Sequence, residues 1–167
     1  TVTNNTITNN SDGIFCNSAS STIANNVIFN NTRMGIYCNS SSPDIINNTI
    51  ASNAQYEIYC YLSSSPEIIN TIIYGNGANV YLSDDGCNPT FDYCNVEGGV
   101  AAFDISAGTY DSTNLYLNNM DLYPDFVDTL NGDYSLNGTS PCINAGNPSW
   151  TNDTLLLAGI DTLDLAG

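Results

Sequence analysis

Apolar residues in this chain recur in two short phrases at a fixed distance. GIFC at 13–16, GIYC at 35–38, EIYC at 57–60 and NVYL at 79–82 follow one another in steps of 22 residues. Between them runs a second phrase: VTNNTITNN from Val2, IANNVIFNN from Ile23, IINNTIASN anchored at Ile45 and IINTIIYGN anchored at Ile68. Counted from each anchor, Asn or Thr stands three places on, an apolar residue five on and Asn eight on. The columns are Val2/Ile23/Ile45/Ile68, Asn5/Asn26/Asn48/Thr71, Ile7/Ile28/Ile50/Ile73 and Asn10/Asn31/Asn53/Asn76. A weaker fifth phrase opens at Phe91 and puts Cys94 and Val96 in the next two columns.

The segments are too short for paired helices. Their β-branched, aromatic, Asn and Ser residues favour strands and turns. Around GIYC the alternation has period two, with Ile36 inward, Tyr37 outward and Cys38 inward. Short strands and polar turns at a constant period define a solenoid. The expected fold is all-β, a single-stranded right-handed parallel β-helix with coils of about 22 residues stacked about 4.8 Å apart. Ile14, Ile36, Ile58 and Val80 should form one inward stack. Asn suits the turn columns because it tolerates the left-handed backbone and its amide can bond to neighbouring coils. Residues 1–99 read as regular coils, and 100–167 as irregular coils and a closing segment of the same domain. PDFVD, DYSL and SPCINAG look like further strands there.

Charge narrows the partners. Among 167 residues there are 17 acidic residues, a single basic one (Arg33) and no histidine, for a net charge of −16. That charge argues against nucleic acid and anionic membrane surfaces as partners. No apolar run is long enough to span a membrane. The opening TVTNNTI lacks the basic start and apolar stretch of a signal peptide, which leaves a mature, trimmed or cytoplasmic chain.

The repeats resemble secreted bacterial right-handed parallel β-helix proteins of the pectate-lyase-like superfamily. The stretch DLYPDFVDTLNGDYSLNGTSPCINAGNP (121–148) looks like a closing segment of such proteins. The resemblance implies the fold, export, and an extracellular or cell-surface location. It says little about activity, because function resides in sites grafted on a fold.

Candidate sites follow from the columns. Phe15, Tyr37, Tyr59 and Tyr81 form an outward aromatic stripe that can dock sugar rings or a protein face, or simply stack on itself. Tyr61 and Tyr74 are expected to widen it. Cys16, Cys38 and Cys60 form an inward ladder of thiols, and Cys87 and Cys94, near a loop, are a candidate disulfide. Thr6 and Thr8 begin an outward threonine row, but Val27, Phe29 and Ala51 break it, so an ice-binding face is discounted. No cofactor is demanded. Calcium is the cation the acids would suit, at Asp84 and Asp85 or at Asp128 and Asp133, although DTLNGD (128–133) also reads as a turn. Seven sequons, at Asn4, Asn9, Asn30, Asn39, Asn47, Asn137 and Asn152, permit glycosylation. With 26 Asn and 33 Ser plus Thr, composition alone accounts for most of them.

No catalytic residue is assigned. β-Elimination on acidic sugars needs a base and a positive counter-charge, and Arg33 alone offers itself, with no acidic neighbour in sequence. Hydrolysis by two carboxylates needs a compact pair, and Glu57 and Glu67 fall in different columns. The expected function is therefore a non-enzymatic extracellular structural protein, a surface or filament subunit. It would assemble with itself through coil ends or faces, pairing the edge at Thr1–Asn10 with a surface near Cys142–Gly146 or Leu155–Leu165. The alternatives are a carbohydrate-binding adhesin module, with glycans as partners, or a fragment of a polysaccharide-degrading enzyme.

Overall fold

The computed structural model describes residues 1–75 and 78–148. Each coil contributes three short strands. The first holds β1 (Val2–Thr3), β2 (Thr6–Thr8) and β3 (Ile14–Asn17). The second holds β4 (Thr22–Ala24), β5 (Val27–Phe29) and β6 (Met34–Asn39). The third holds β7 (Asp44–Ile46), β8 (Thr49–Ala51) and β9 (Tyr56–Tyr61). The fourth holds β10 (Glu67–Ile69), β11 (Ile72–Tyr74) and β12 (Val80–Leu82), and the fifth β13 (Thr90–Asp92), β14 (Asn95–Val96) and β15 (Phe103–Ile105). A one-turn helix, α1 (Ser112–Leu115), leads into β16 (Tyr116–Leu117). Like strands stack into three parallel sheets: sheet A in the order β1-β4-β7-β10-β13-β16, sheet B β2-β5-β8-β11-β14 and sheet C β3-β6-β9-β12-β15.

The expected register holds. Ile14, Ile36, Ile58 and Val80 are successive partners in sheet C, as are Val2, Ile23, Ile45 and Ile68 in sheet A. Both columns face one core, where Ile23, Ile28, Ile36, Ile45, Ile50, Ile58, Ile68 and Ile73 are fully buried. The columns end in rings. Phe91, Phe103, Tyr110 and Tyr116 pack against one another at centroid distances of 5.3–5.9 Å and close the far end of the core.

The corners explain the repeated Asn-Asn pair. At the A-to-B corner the first Asn of each pair takes the left-handed region: Asn4, Asn25, Asn47 and Asn70 have φ of 57, 55, 52 and 50°. The second turns inward. The Asn48 amide donates to the carbonyls of Ile23 (2.9 Å) and Ile46 (3.0 Å), and its oxygen accepts from the Asn26 backbone and side-chain amides, both at 3.0 Å. Two donors and two lone pairs are all used. Asn5 donates to Asn26 in the same way, while Asn48 N–H passes to the Thr71 hydroxyl. Cys94 takes the next rung, its thiol facing the carbonyls of Ile68 and Asp92, and Asn119 completes the column.

Cys94 is thus committed to the ladder, and it makes no disulfide with Cys87, whose thiol lies by the Ser83 hydroxyl. All six cysteines are free and buried. The thiol stack of Cys16, Cys38 and Cys60 is as expected.

After Met120 the chain leaves the stack. β17 (Phe126–Asp128) and β18 (Asp133–Leu136) form an antiparallel hairpin. It packs Phe126 and Tyr134 on Phe29, Ala51 and Ile72, the outer face of sheet B. The residues that break the threonine row are therefore the seat of this strap. The stretch Cys142–Gly146 follows the flank: Cys142 meets the Asn95 amide, and Asn147 N–H donates to Asn70 at 2.8 Å. It lies beside the coils and not at their end, so it offers no edge for head-to-tail pairing. Leu155–Leu165 falls outside the described residues.

Removing one buried rung should cost far more than removing an exposed one. Asn48→Ala strips four groups of their partners at a buried site, which predicts a loss of about 3 kcal/mol or more. Asn5→Ala, at the exposed first rung, should cost about 1 kcal/mol or less. Urea denaturation of the two variants measures both, and equal losses would show that the ladder is not what holds the corner.

Candidate functional site

One outward column of sheet A is polar (Thr22, Asp44, Glu67 and Thr90) and the other holds the buried Ala24, Ile46 and Ile69, while the outer face of sheet B lies under the strap. Sheet C carries the aromatic stripe. Phe15, Tyr37, Tyr59 and Tyr81 occupy successive rungs, and the next partner in register is Asp104. Ring centroids lie 4.9, 5.0 and 4.4 Å apart down the column. Phe15 is 53% exposed, and the three tyrosines are half-buried. Tyr59 and Tyr81 stack with their planes 9° apart, so each covers a face of the other. The ring of Tyr37 stands at 77° to that of Tyr59.

Two flanking positions widen the stripe. Tyr61 lies 6.5 and 6.4 Å from Tyr37 and Tyr59, in register with Asn39 and Asn17. Tyr56, on the other side, lies 5.1 Å from Tyr81 and donates its hydroxyl to Asp104 at 2.5 Å. That hydrogen bond, reinforced by partial burial, pushes the Tyr56 phenol up to about 12. Burial, followed by the neighbouring phenols, pushes Tyr59 up to about 12 as well. These hydroxyls stay protonated and serve as donors. Tyr74 does not join them. It sits on sheet B, 6.0 Å from Tyr123.

Arg33 has a partner that the linear sequence hides. One coil back stands Asp12, whose carboxylate meets the guanidinium at 3.4 Å. The pair lies near the Phe15 end and acts electrostatically on Tyr37. Tyr56, Asp104 and Asp12 were all missed from sequence. Asp104 was legible only by extending the VYL column across the irregular stretch to FDI.

The calcium candidates are engaged in turns. Asp84 accepts from the Ser63 and Gly86 N–H groups and from the Ser83 hydroxyl, which hold it below the usual carboxylate range. Asp85 is exposed beside Gly108. Asp128 and Asp133 face each other across the hairpin, but Asp128 binds Asn131 and Asp133 binds Ser135. Among the described residues no three His, Cys, Asp or Glu side chains gather where they could hold a metal. Of the sequons, Asn4, Asn9 and Asn30 are exposed corner residues, and Asn39 and Asn137 are half-buried. Asn47 is only 1% exposed, so a glycan has no room there in the folded chain. Asn152 lies outside the described residues.

Asp44 and Glu67 are direct partners on sheet A, a carboxylate pair that the column reading overlooked, and both stand exposed. A cleft of about 410 Å³ opens between the strap and the A-to-B corner, lined by Asn25, Val27, Asn47, Tyr134 and Leu136 among others. No sheet C residue borders it.

Residues 1–123 match the family model described as the right handed beta helix region, and the chain belongs to that family. This fixes the hand of the solenoid that the three parallel sheets build. No curated protein and no solved structure matches the chain.

Glu57 is the one fully buried acid in the stack. It replaces Gly35 of the coil before, where a Cβ would come within 2.5 Å of Ile50. Its carboxyl accepts from the second amide ladder: Asn10 N–H donates to Asn31, Asn31 to Asn53, and Asn53 donates backbone and side-chain amides to Glu57, while Asn76, the next of that column in sequence, lies outside the described residues. Burial pushes Glu57 up to about 8, outweighing the two Asn53 donors, with repulsion from Glu97 adding to it. The ordinary value is 4.5, so in this window the folded chain keeps a proton that the unfolded chain releases. Stability from this group is full below about pH 4.5 and falls, by on the order of a few kcal/mol, as pH rises to about 8. The lowered Asp84 and Asp133 act in the opposite sense and at lower pH. Glu57→Gln should flatten the fall between those pH values, even if the lost acceptor costs about 1 kcal/mol throughout. Chemical denaturation across that range checks it, and an unchanged slope would remove Glu57 as the source.

Proposed function

We propose that this β-helix is a non-enzymatic binding module of the cell surface or extracellular space, and that it holds glycan chains on the tyrosine face of sheet C. The observation that carries this reading is the face itself. Six aromatic rings lie within reach of one another, flanked by Asn17, Asn39 and phenolic donors, with no covering segment among the described residues. Aromatic surface beside amides and hydroxyls suits sugars, which present apolar ring faces and a rim of hydroxyl groups.

Charge selects among glycans. A net charge of −16, with the lone Arg33 already paired to Asp12, repels polyuronates and sulfated chains. The same inventory disfavours catalysis. There is no histidine or lysine to act as a base, and the Asp44–Glu67 pair stands exposed on sheet A. Head-to-tail assembly needs two open coil ends, and among the described residues Phe103, Tyr110 and Tyr116 pack at the far end of the core. Glycan docking needs only the exposed face.

Tyr37→Ser with Tyr59→Ser should abolish binding to an array of uncharged and amino glycans. The rings are half-buried, and losing their mutual contacts should cost about 1–3 kcal/mol of stability, leaving the fold intact by circular dichroism. Wild-type protein should bind without releasing reducing ends or unsaturated products. Retained binding in the double variant would refute the site. Turnover would refute the non-enzymatic reading, and filaments in electron micrographs of wild type without glycan binding would favour the structural one.

A further inference from the structure

We infer that the tyrosine face is directional, and that its Asp104 end selects glycans carrying protonated amines, such as glucosamine polymers. The inference rests on the glycan reading above and names its ligand class.

The ladder changes character along its length. At one end Phe15 is apolar, without a hydroxyl, and more than half exposed. At the other the column passes from Tyr81 to Asp104 in register, so a carboxylate occupies the place of the next ring. Asp104 is exposed. Tyr56 donates to its Oδ2 at 2.5 Å, which fixes the carboxylate beside the stacked pair Tyr59–Tyr81, and its Oδ1 has no hydrogen bond among the described residues. An ammonium group placed there meets an anion and the electron-rich rings together, and both attract it. A neutral acetamido group gains neither. The net charge of −16 adds a long-range field of the same sign. Basic peptides share the charge. The sugar assignment rests on the amide column Asn17–Asn39 beside the rings, which a row of hydroxyl groups can satisfy.

The test compares glucosamine oligomers with the same oligomers fully N-acetylated, by calorimetry at low and high salt. Wild type should bind the amine form about tenfold more tightly at low salt, and the preference should shrink as salt screens it. Asp104→Asn should weaken the amine form about fivefold and leave the acetylated form unchanged. Glu67→Gln removes an equal charge from the outer face of sheet A and should leave the preference in place, which separates a local contact from the overall field. Equal binding of the two oligomers by wild type, or equal losses in the Asp104 and Glu67 variants, overturns the amine assignment while the glycan site stands. Binding of neither oligomer, or of any other glycan, takes down both readings. Poly-lysine that binds as tightly, with the same dependence on Asp104, would reassign the face to basic peptides.

Discussion

The solenoid depends on how its corners dispose of backbone polar groups. Three flat sheets meeting around a dry core force the chain to turn sharply several times per coil, and each turn strands N–H and C=O groups beside isoleucine. A buried group left unpaired costs about 1–3 kcal/mol, so a few per coil would undo what the core gains. Two adjacent asparagines solve the problem with separate jobs. The first takes the left-handed conformation that a β-branched residue avoids, as at Asn25 and Asn47. The second inserts an amide whose donors close two carbonyls and whose oxygen closes two amides of the neighbouring coil. The arrangement propagates, because each rung supplies what the next requires.

That division of labour explains which features were legible in sequence. A ladder needs the same residue type at the same place in each coil, so the columns, the inward isoleucines and the outward stripe could be counted directly. Features that occur once carry no such signal. Glu57 stands where two earlier coils have Gly13 and Gly35, and nothing in its neighbourhood announces that its carboxyl accepts from an amide column. Asp12 and Arg33 pair only because a coil places residues 21 apart side by side. The strap was read as further strands. Its hydrophobic residues do form strands, but they serve the outer face of sheet B, and alternation cannot say which surface a strand will meet. Tyr74 was joined to the stripe on composition, when its position five places before the NVYL phrase had already put it on another sheet.

The three faces show what a solenoid does with a single outward position. Each such position is written about five times, so a local choice becomes a surface. On sheet B the outward residues turn apolar at Phe29, Ala51 and Ile72 and are covered by Phe126 and Tyr134. On sheet A one outward column is Thr22, Asp44, Glu67 and Thr90, exposed or half-exposed, and the other holds the buried Ala24, Ile46 and Ile69. On sheet C they are aromatic, with no segment across them among the described residues, a larger apolar surface than a solvent-facing sheet requires.

The geometry of that third surface sets limits on what it can hold. Where rings stack face to face, as Tyr59 and Tyr81 do, their faces are partly spent on each other, and the column shows edges and hydroxyls outward. Where they tilt, as Phe15 and Tyr37 do at 50°, more of the ring face is open. A ligand lying along the ladder therefore meets apolar ring at one end, phenolic donors in the middle and a carboxylate at Asp104. Self-stacking and ligand docking are not exclusive in such an array. Rings fixed by their neighbours lose little conformational freedom on binding, and that preorganisation is what allows a shallow, exposed surface to hold a flexible chain.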